Sequence, residues 1–131
     1  MENAFPDKVY YLPVYRKALE IFKISRAMAT YFSEDKNVIE MDLSANPRHH
    51  FAGSLVNESL QLAPGIASVA TATSNASRLR RLNRIRNAAK NLRNYCKKLE
   101  FSGVKELEFL GMLNREIQQF DKMVNEWVYK K

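Results

Sequence analysis

From residue 77 to residue 99, apolar side chains recur at Leu82, Ile85, Ala88, Ala89, Leu92, Tyr95, Cys96 and Leu99. Steps of three and four place them on one stripe of a helix. The remaining surface of that helix carries Arg80, Arg84, Arg86, Lys90, Arg93, Lys97 and Lys98, with Arg78 and Arg81 among its first residues. No Asp or Glu interrupts the run from Arg78 to Lys98. Asn83, Asn87, Asn91 and Asn94 lie along the same polar face. A helix half apolar and half basic must bury the first face against other elements and leave the second to solvent or a ligand.

The rest of the chain supplies partners for the apolar stripe. Pro13 suits a first helical turn, where its missing N–H costs nothing. Val14, Ala18, Leu19, Ile21, Phe22, Ser25, Met28, Ala29 and Phe32 then trace one face, predicting a first helix from Pro13 to Phe32. Residues 33–46 are irregular, with a turn at Glu34–Asn37 and Val38, Ile39, Met41 and Leu43 able to pack beneath it. Asn46-Pro47 reads as an N-cap followed by proline at the first helical position. The second helix directs Phe51, Leu55, Val56, Leu62, Ile66, Val69 and Ala70 toward the core, and Pro64-Gly65 should kink or interrupt it. The Thr-, Ser- and Asn-rich residues 71–76 end it and supply a cap for the third helix. Ser102-Gly103 turns the chain into a fourth helix, where Val104, Leu107, Leu110, Leu113, Ile117, Phe120, Val124 and Trp127 step by three or four. Glu106 and Glu108 at its start and Lys130 and Lys131 after its end suit the helix dipole.

The expectation is an all-α, up-and-down four-helix bundle over residues 13–131, preceded by an N-terminal arm, residues 1–12, whose Phe5, Tyr10, Tyr11 and Leu12 dock on the body. A chain of 131 residues suffices for one core. The single cysteine, Cys96, suits a reducing cytoplasm. Neither a signal peptide nor a membrane span is legible: residues 59–77 are uncharged, but too polar to cross a bilayer.

No constellation of catalytic residues appears. His49 and His50 are adjacent and point about a third of a turn apart, so they make a poor metal pair and read as solvated or capping residues. Cys96 lies on the apolar stripe, where a thiol acts as a small hydrophobe. The carboxylates of the fourth helix, Glu106, Glu108, Glu116, Asp121 and Glu126, are scattered around it. Phosphate-cradling glycine loops and nucleophile elbows are absent from the sequence. The expectation is a protein that is not an enzyme and needs no cofactor or metal.

Lys plus Arg outnumber Asp plus Glu by 21 to 14, for a formal net charge of +7. Nine of those basic residues fall between Arg78 and Lys98, which makes RNA or DNA the first candidate partner. Solvated helices usually mix both signs, because like charges four residues apart repel. Arg80/Arg84, Arg86/Lys90 and Arg93/Lys97 are such pairs. Phosphates, acids from a neighbouring subunit, or solvent alone could face them. Arg80, Arg84, Arg86, Lys90, Arg93, Lys97 and Lys98 are therefore the candidate nucleic-acid-binding residues. Aromatic rings suited to base stacking are missing from this face, with only Tyr95 near its margin, so sequence-specific readout of single strands is not indicated. Large apolar side chains near the chain ends, at Phe5, Tyr10, Tyr11, Trp127, Val128 and Tyr129, suggest homo-oligomerisation.

Several stretches resemble a family of small bacterial four-helix-bundle proteins. That family includes the 23S rRNA intervening-sequence proteins and the accessory variability determinant of diversity-generating retroelements. Leu12-Pro-Val-Tyr-Arg-Lys-Ala-Leu-Glu-Ile-Phe22 is similar to its first helix, and Leu62-Ala-Pro-Gly-Ile-Ala67 to its second-helix segment with an internal proline. Leu79, Leu82, Arg86, Ala89, Leu92 and Arg93, followed by Gly103, fit its third helix. Phe109-Leu through Ile117, Lys122-Met123 and Trp127-Val128 match the retroelement branch. The Glu-Gly that follows the proline in the family is absent; Ser68-Val69 stands after Ile66-Ala67. The resemblance implies a ring-like homopentamer. For the retroelement accessory protein, it also implies binding to a reverse transcriptase and to nucleic acid during mutagenic cDNA synthesis.

Overall fold

The computed structural model describes residues 7–30, 46–103 and 107–129. These residues are almost entirely helical: a short 3-10 turn, Asp7–Tyr11, then α1 (Pro13–Thr30), α2 (Pro47–Leu60), α3 (Leu62–Ala70), α4 (Asn75–Phe101) and α5 (Leu107–Tyr129). The expected second helix is divided into α2 and α3, while α4 and α5 are the expected third and fourth. Phe5, Phe32, the turn at 34–37 with its apolar followers, Val104, Glu106, Lys130 and Lys131 lie outside the described residues.

Helix starts and stops follow the capping chemistry. Asn46 accepts a hydrogen bond from the Arg48 amide through its side chain, with Pro47 opening α2. The Ser74 hydroxyl accepts from the Ser77 amide and starts α4 two residues earlier than the apolar stripe requires. Gly103 takes φ +80°, the left-handed conformation glycine adopts freely, and ends α4.

The break between α2 and α3 falls at Gln61, upstream of the Pro64-Gly65 pair. Proline lacks an N–H and crowds the carbonyl four residues before it, here that of Leu60. The chain relieves this by closing α2 early, with the Gln61 amide donating to Glu58, and by restarting at Leu62. Pro64 then sits in the first turn of α3, where a missing donor is tolerated. Gly65 has a different role: a Cβ there would lie 2.9 Å from Ile85 Cγ1 of α4, so its lack of a side chain sets the close approach of α3 to α4.

The core is continuous. Ile21 and Met28 of α1, Leu55 of α2, Leu62 and Ile66 of α3, Leu82, Leu92 and Leu99 of α4, and Leu110, Leu113, Ile117 and Phe120 of α5 are all buried in it. Helix α1 packs against α2, α3 and α5, and α4 packs against the same three. Neighbours run in opposite directions: Arg48 of α2 reaches Ser102 while Phe51 lies near Tyr95, and Ser68 of α3 meets Arg81. Lys17 of α1 pairs with Glu116 of α5 at 2.8 Å and donates to Gln119 at 3.0 Å.

Some expected core positions differ. Leu19 and Leu107 are exposed on their helices, as is Ala70 at the end of α3. In the 3-10 turn, Val9 rather than Tyr10 or Tyr11 is the buried anchor, with Leu12 half-buried beside it. Tyr10 packs edge-on against Tyr15, 5.4 Å between ring centres. His49 is buried rather than solvated, and His50 lies against Phe51 with 5.5 Å between ring centres.

Candidate nucleic-acid interface

At 3.6 residues per turn, the basic residues of α4 fan out in three directions rather than forming one plate. The flank toward α5 holds Arg86 and Arg93. Arg86 donates to Asn125 Oδ1 at 2.9 Å, and Arg93 forms an ion pair with Asp121. The Arg93 and Asp121 side chains are 38% and 26% exposed, so this pair is partly screened by solvent. Burial pushes the Asp121 carboxyl above the usual carboxylate range, although Arg93 and then Arg86 pull it down. Part of the charge repulsion along α4 is thus met from within the chain. The sequence carries no sign of this contact, which joins residues 28 positions apart.

The flank toward α2 and α3 holds Arg81 and Lys98. Arg81 donates to the Ser68 carbonyl at 2.8 Å. The Lys98 ammonium lies 5.3 Å from the Phe51 ring centre and 5.7 Å from that of Tyr95, a cation–π arrangement. Arg80 donates to Ser77 on its own helix, at 3.1 Å.

Between the flanks, the outward strip is open. Asn83, Asn87, Lys90, Asn94, Lys97 and Phe101 are all exposed. They lie within about 40° on either side of one line along the helix. Arg84 is exposed on the shoulder toward α3, beside the groove lined by Pro64, Gly65 and Ser68. Arg84, Lys90 and Lys97 make no ion pair or side-chain hydrogen bond among the described residues. Of the seven expected binding residues, these three are exposed and unengaged.

Phe101 is the residue that sequence reasoning missed. It is 91% exposed at the end of the strip, one turn beyond Lys97. The stripe of apolar residues appeared to close at Leu99, so nothing marked Phe101 as an outward ring. Beside it lies a groove of about 490 Å³ formed by Asn46, Pro47, Arg48, Phe51, Lys98 and Ser102.

The inner face of α4 is apolar. Burial, helped by the nearby Glu100, pushes the Cys96 thiol up to about 12, so it stays protonated at neutral pH. Among the described residues, no group of three His, Cys, Asp or Glu side chains is placed to hold a metal ion. No helix there is long and apolar enough to cross a membrane. No family model matches this chain, and no curated protein or solved structure was found to match it.

Proposed function

We propose that this chain is a non-enzymatic nucleic-acid-binding protein that holds RNA or DNA phosphates along the outward strip of α4. The observation that carries the reading is the contrast in partners: Arg86 and Arg93 are engaged within the chain, whereas Arg84, Lys90 and Lys97 are exposed without an acid partner among the described residues. Phosphate contacts position a nucleic acid without reading its sequence, so binding is sequence-tolerant. The reading includes an up-and-down arrangement of the four-helix bundle and a cytoplasmic setting. It also includes the family resemblance, with a homopentamer and a role as accessory to a reverse transcriptase of a diversity-generating retroelement. The antiparallel neighbours support the up-and-down arrangement, and the basic strip supports the phosphate contacts.

Titrating the protein with DNA and RNA of unrelated sequence across a salt series tests it. Each phosphate contact contributes about −0.7 to −0.9 to the slope of log K against log salt, so three contacts give about −2 to −3. Absence of binding, or binding indifferent to salt, overturns the reading.

A second reading is a structural homo-oligomer of the intervening-sequence type, with no direct nucleic-acid role. It is favoured by Tyr10, Tyr11 and Tyr129, which are 50%, 71% and 78% exposed. These lie by the start of α1 and the end of α5, where Leu12, Pro13, Val14, Met123 and Trp127 line a small groove. Apolar surface of this kind suits a subunit contact.

A further inference from the structure

We propose that the Phe101 end of α4 is a stacking site for an unpaired base, so that the strip holds single-stranded nucleic acid in preference to duplex. This inference rests on the phosphate-binding reading and adds to it the kind of strand and the place where a base is received.

An almost fully exposed phenylalanine ring offers a flat apolar face that a partner can cover, and the surroundings of Phe101 indicate the chemistry of that partner. It is 91% exposed, and the charged residues that line the groove beside it among the described residues, Arg48 and Lys98, are cations. Lys97 stands one turn before it on the outward strip. Lys98 is held at the groove by the Phe51 and Tyr95 rings. Arg48 is fixed at the C-terminal end of α4, where its Nη2 donates to the Ser102 carbonyl at 2.8 Å and its Nε to the same oxygen at 3.3 Å. That leaves Nη1 without a hydrogen bond among the described residues. The nearest acid in sequence, Glu100, projects about 100° around the helix, on the side of Arg93.

Such a patch is mismatched to a purely apolar protein partner, which would have to desolvate Arg48, Lys97 and Lys98. It is also mismatched to duplex DNA, whose bases are stacked inside and offer the ring nothing. A single strand presents both chemistries: a flat π-face for Phe101, and phosphates for the three cations. Aromatic rings at the edge of a basic track are the usual means of holding unpaired bases, and they are tolerant of sequence. Lys97 and Lys90 continue the track from the ring along the strip, with Asn94 between them and Asn87 beyond Lys90 able to hydrogen-bond sugar or phosphate.

The test uses the intact chain and three probes of equal length, about 20 nucleotides: oligo(dT), an abasic strand with the same phosphates, and a duplex. Stacking one base on the Phe101 ring raises affinity for oligo(dT) over the abasic strand by about 5- to 150-fold. Phe101→Ala brings those two affinities together and leaves the abasic and duplex affinities unchanged. Phe101→Trp restores the difference and adds a fluorescence signal, beyond that of wild type, that oligo(dT) quenches and the abasic strand does not. Equal affinity of wild type for oligo(dT) and the abasic strand overturns the stacking site while leaving the phosphate reading intact. Failure to bind any probe removes both. A change of oligomeric mass in Phe101→Ala, with no change in base preference, assigns the ring to a subunit contact and also overturns the inference.

Discussion

The flanks of helix α4 and its outward strip carry similar residues in opposite circumstances. On the flank toward α3, the absence of a side chain at Gly65 lets the two backbones approach through Ile85. On the flank toward α5, Arg86 and Arg93 meet Asn125 and Asp121. Lys90 and Lys97 on the strip, and Arg84 on the shoulder beside it, are exposed without such partners among the described residues. A basic residue on a helix is thus engaged within the chain or left open to solvent according to its neighbour in space. Flank changes should cost stability and spare binding, whereas strip changes should do the reverse.

The largest loss of stability is expected where the flank is tightest. Gly65→Val forces two methyl groups toward Ile85 and costs about 2–3 kcal/mol, read from chemical denaturation. Phosphate affinity of the folded fraction stays as in wild type. A variant as stable as wild type would mean that α3 and α4 can separate freely, and the flank would no longer differ from the strip.

The inner face of the same helix supplies a pH-dependent test. The Cys96 thiol is raised from 9.0 to about 12 in the folded chain, so above pH 9 the unfolded chain releases a proton that the folded chain retains. Stability from this group is complete below pH 9 and falls as pH rises toward 12, by about 1–2 kcal/mol near pH 10.5. The stability gap between wild type and Cys96→Ala therefore narrows with rising pH. A gap independent of pH up to 10.5 would place the thiol in solvent.

A smaller effect is expected from Asp121→Asn, which keeps a hydrogen-bond acceptor for Arg93 but removes the carboxylate. Stability changes by less than about 1 kcal/mol, because the pair is partly exposed. The folded chain holds the Asp121 proton more tightly than the unfolded one, so this group's contribution is present at low pH and lost as pH rises through its raised value. The stability difference thus moves in favour of the Asn variant as pH rises through the acid range. Released from its counter-charge, Arg93 strengthens the field on the strip, and affinity for a single strand rises a few-fold. Unchanged affinity would show that Arg93 lies too far round the helix to contribute.

The periodicity of the helices was legible in the sequence because a 3.6-residue repeat is a local property. The Asn46 cap, a cap from the Ser-rich turn before α4 and the stop at Gly103 were legible for the same reason: each acts within three residues. The interruption of the second helix was legible from Pro64-Gly65, and it falls at Gln61 because proline crowds the carbonyl of the preceding turn. Val9 was passed over in favour of the larger tyrosines, since size alone does not say which side chain a short turn can bury. The candidate residues were legible as a charge pattern, but their division was not. The Arg93–Asp121 pair and the Gly65–Ile85 approach are tertiary contacts, and no spacing along the chain encodes them. Phe101 escaped notice because one apolar residue beyond a regular stripe looks the same whether it turns inward or outward.

The most direct test of the claim that the outward strip holds phosphates compares two sets of charge removal on the same helix. Arg84, Lys90 and Lys97 are replaced together by Gln in one variant, and Arg86 and Arg93 in another, and single-strand affinity is measured across a salt series. The strip variant should keep wild-type stability, bind about 100-fold more weakly near 0.1 M salt, and lose about 2 to 3 units of slope. The flank variant should lose some stability, with its slope reduced by less than one unit. If the strip variant instead binds as wild type does, or loses its oligomeric state while the flank variant loses affinity, the strip is not the nucleic-acid interface.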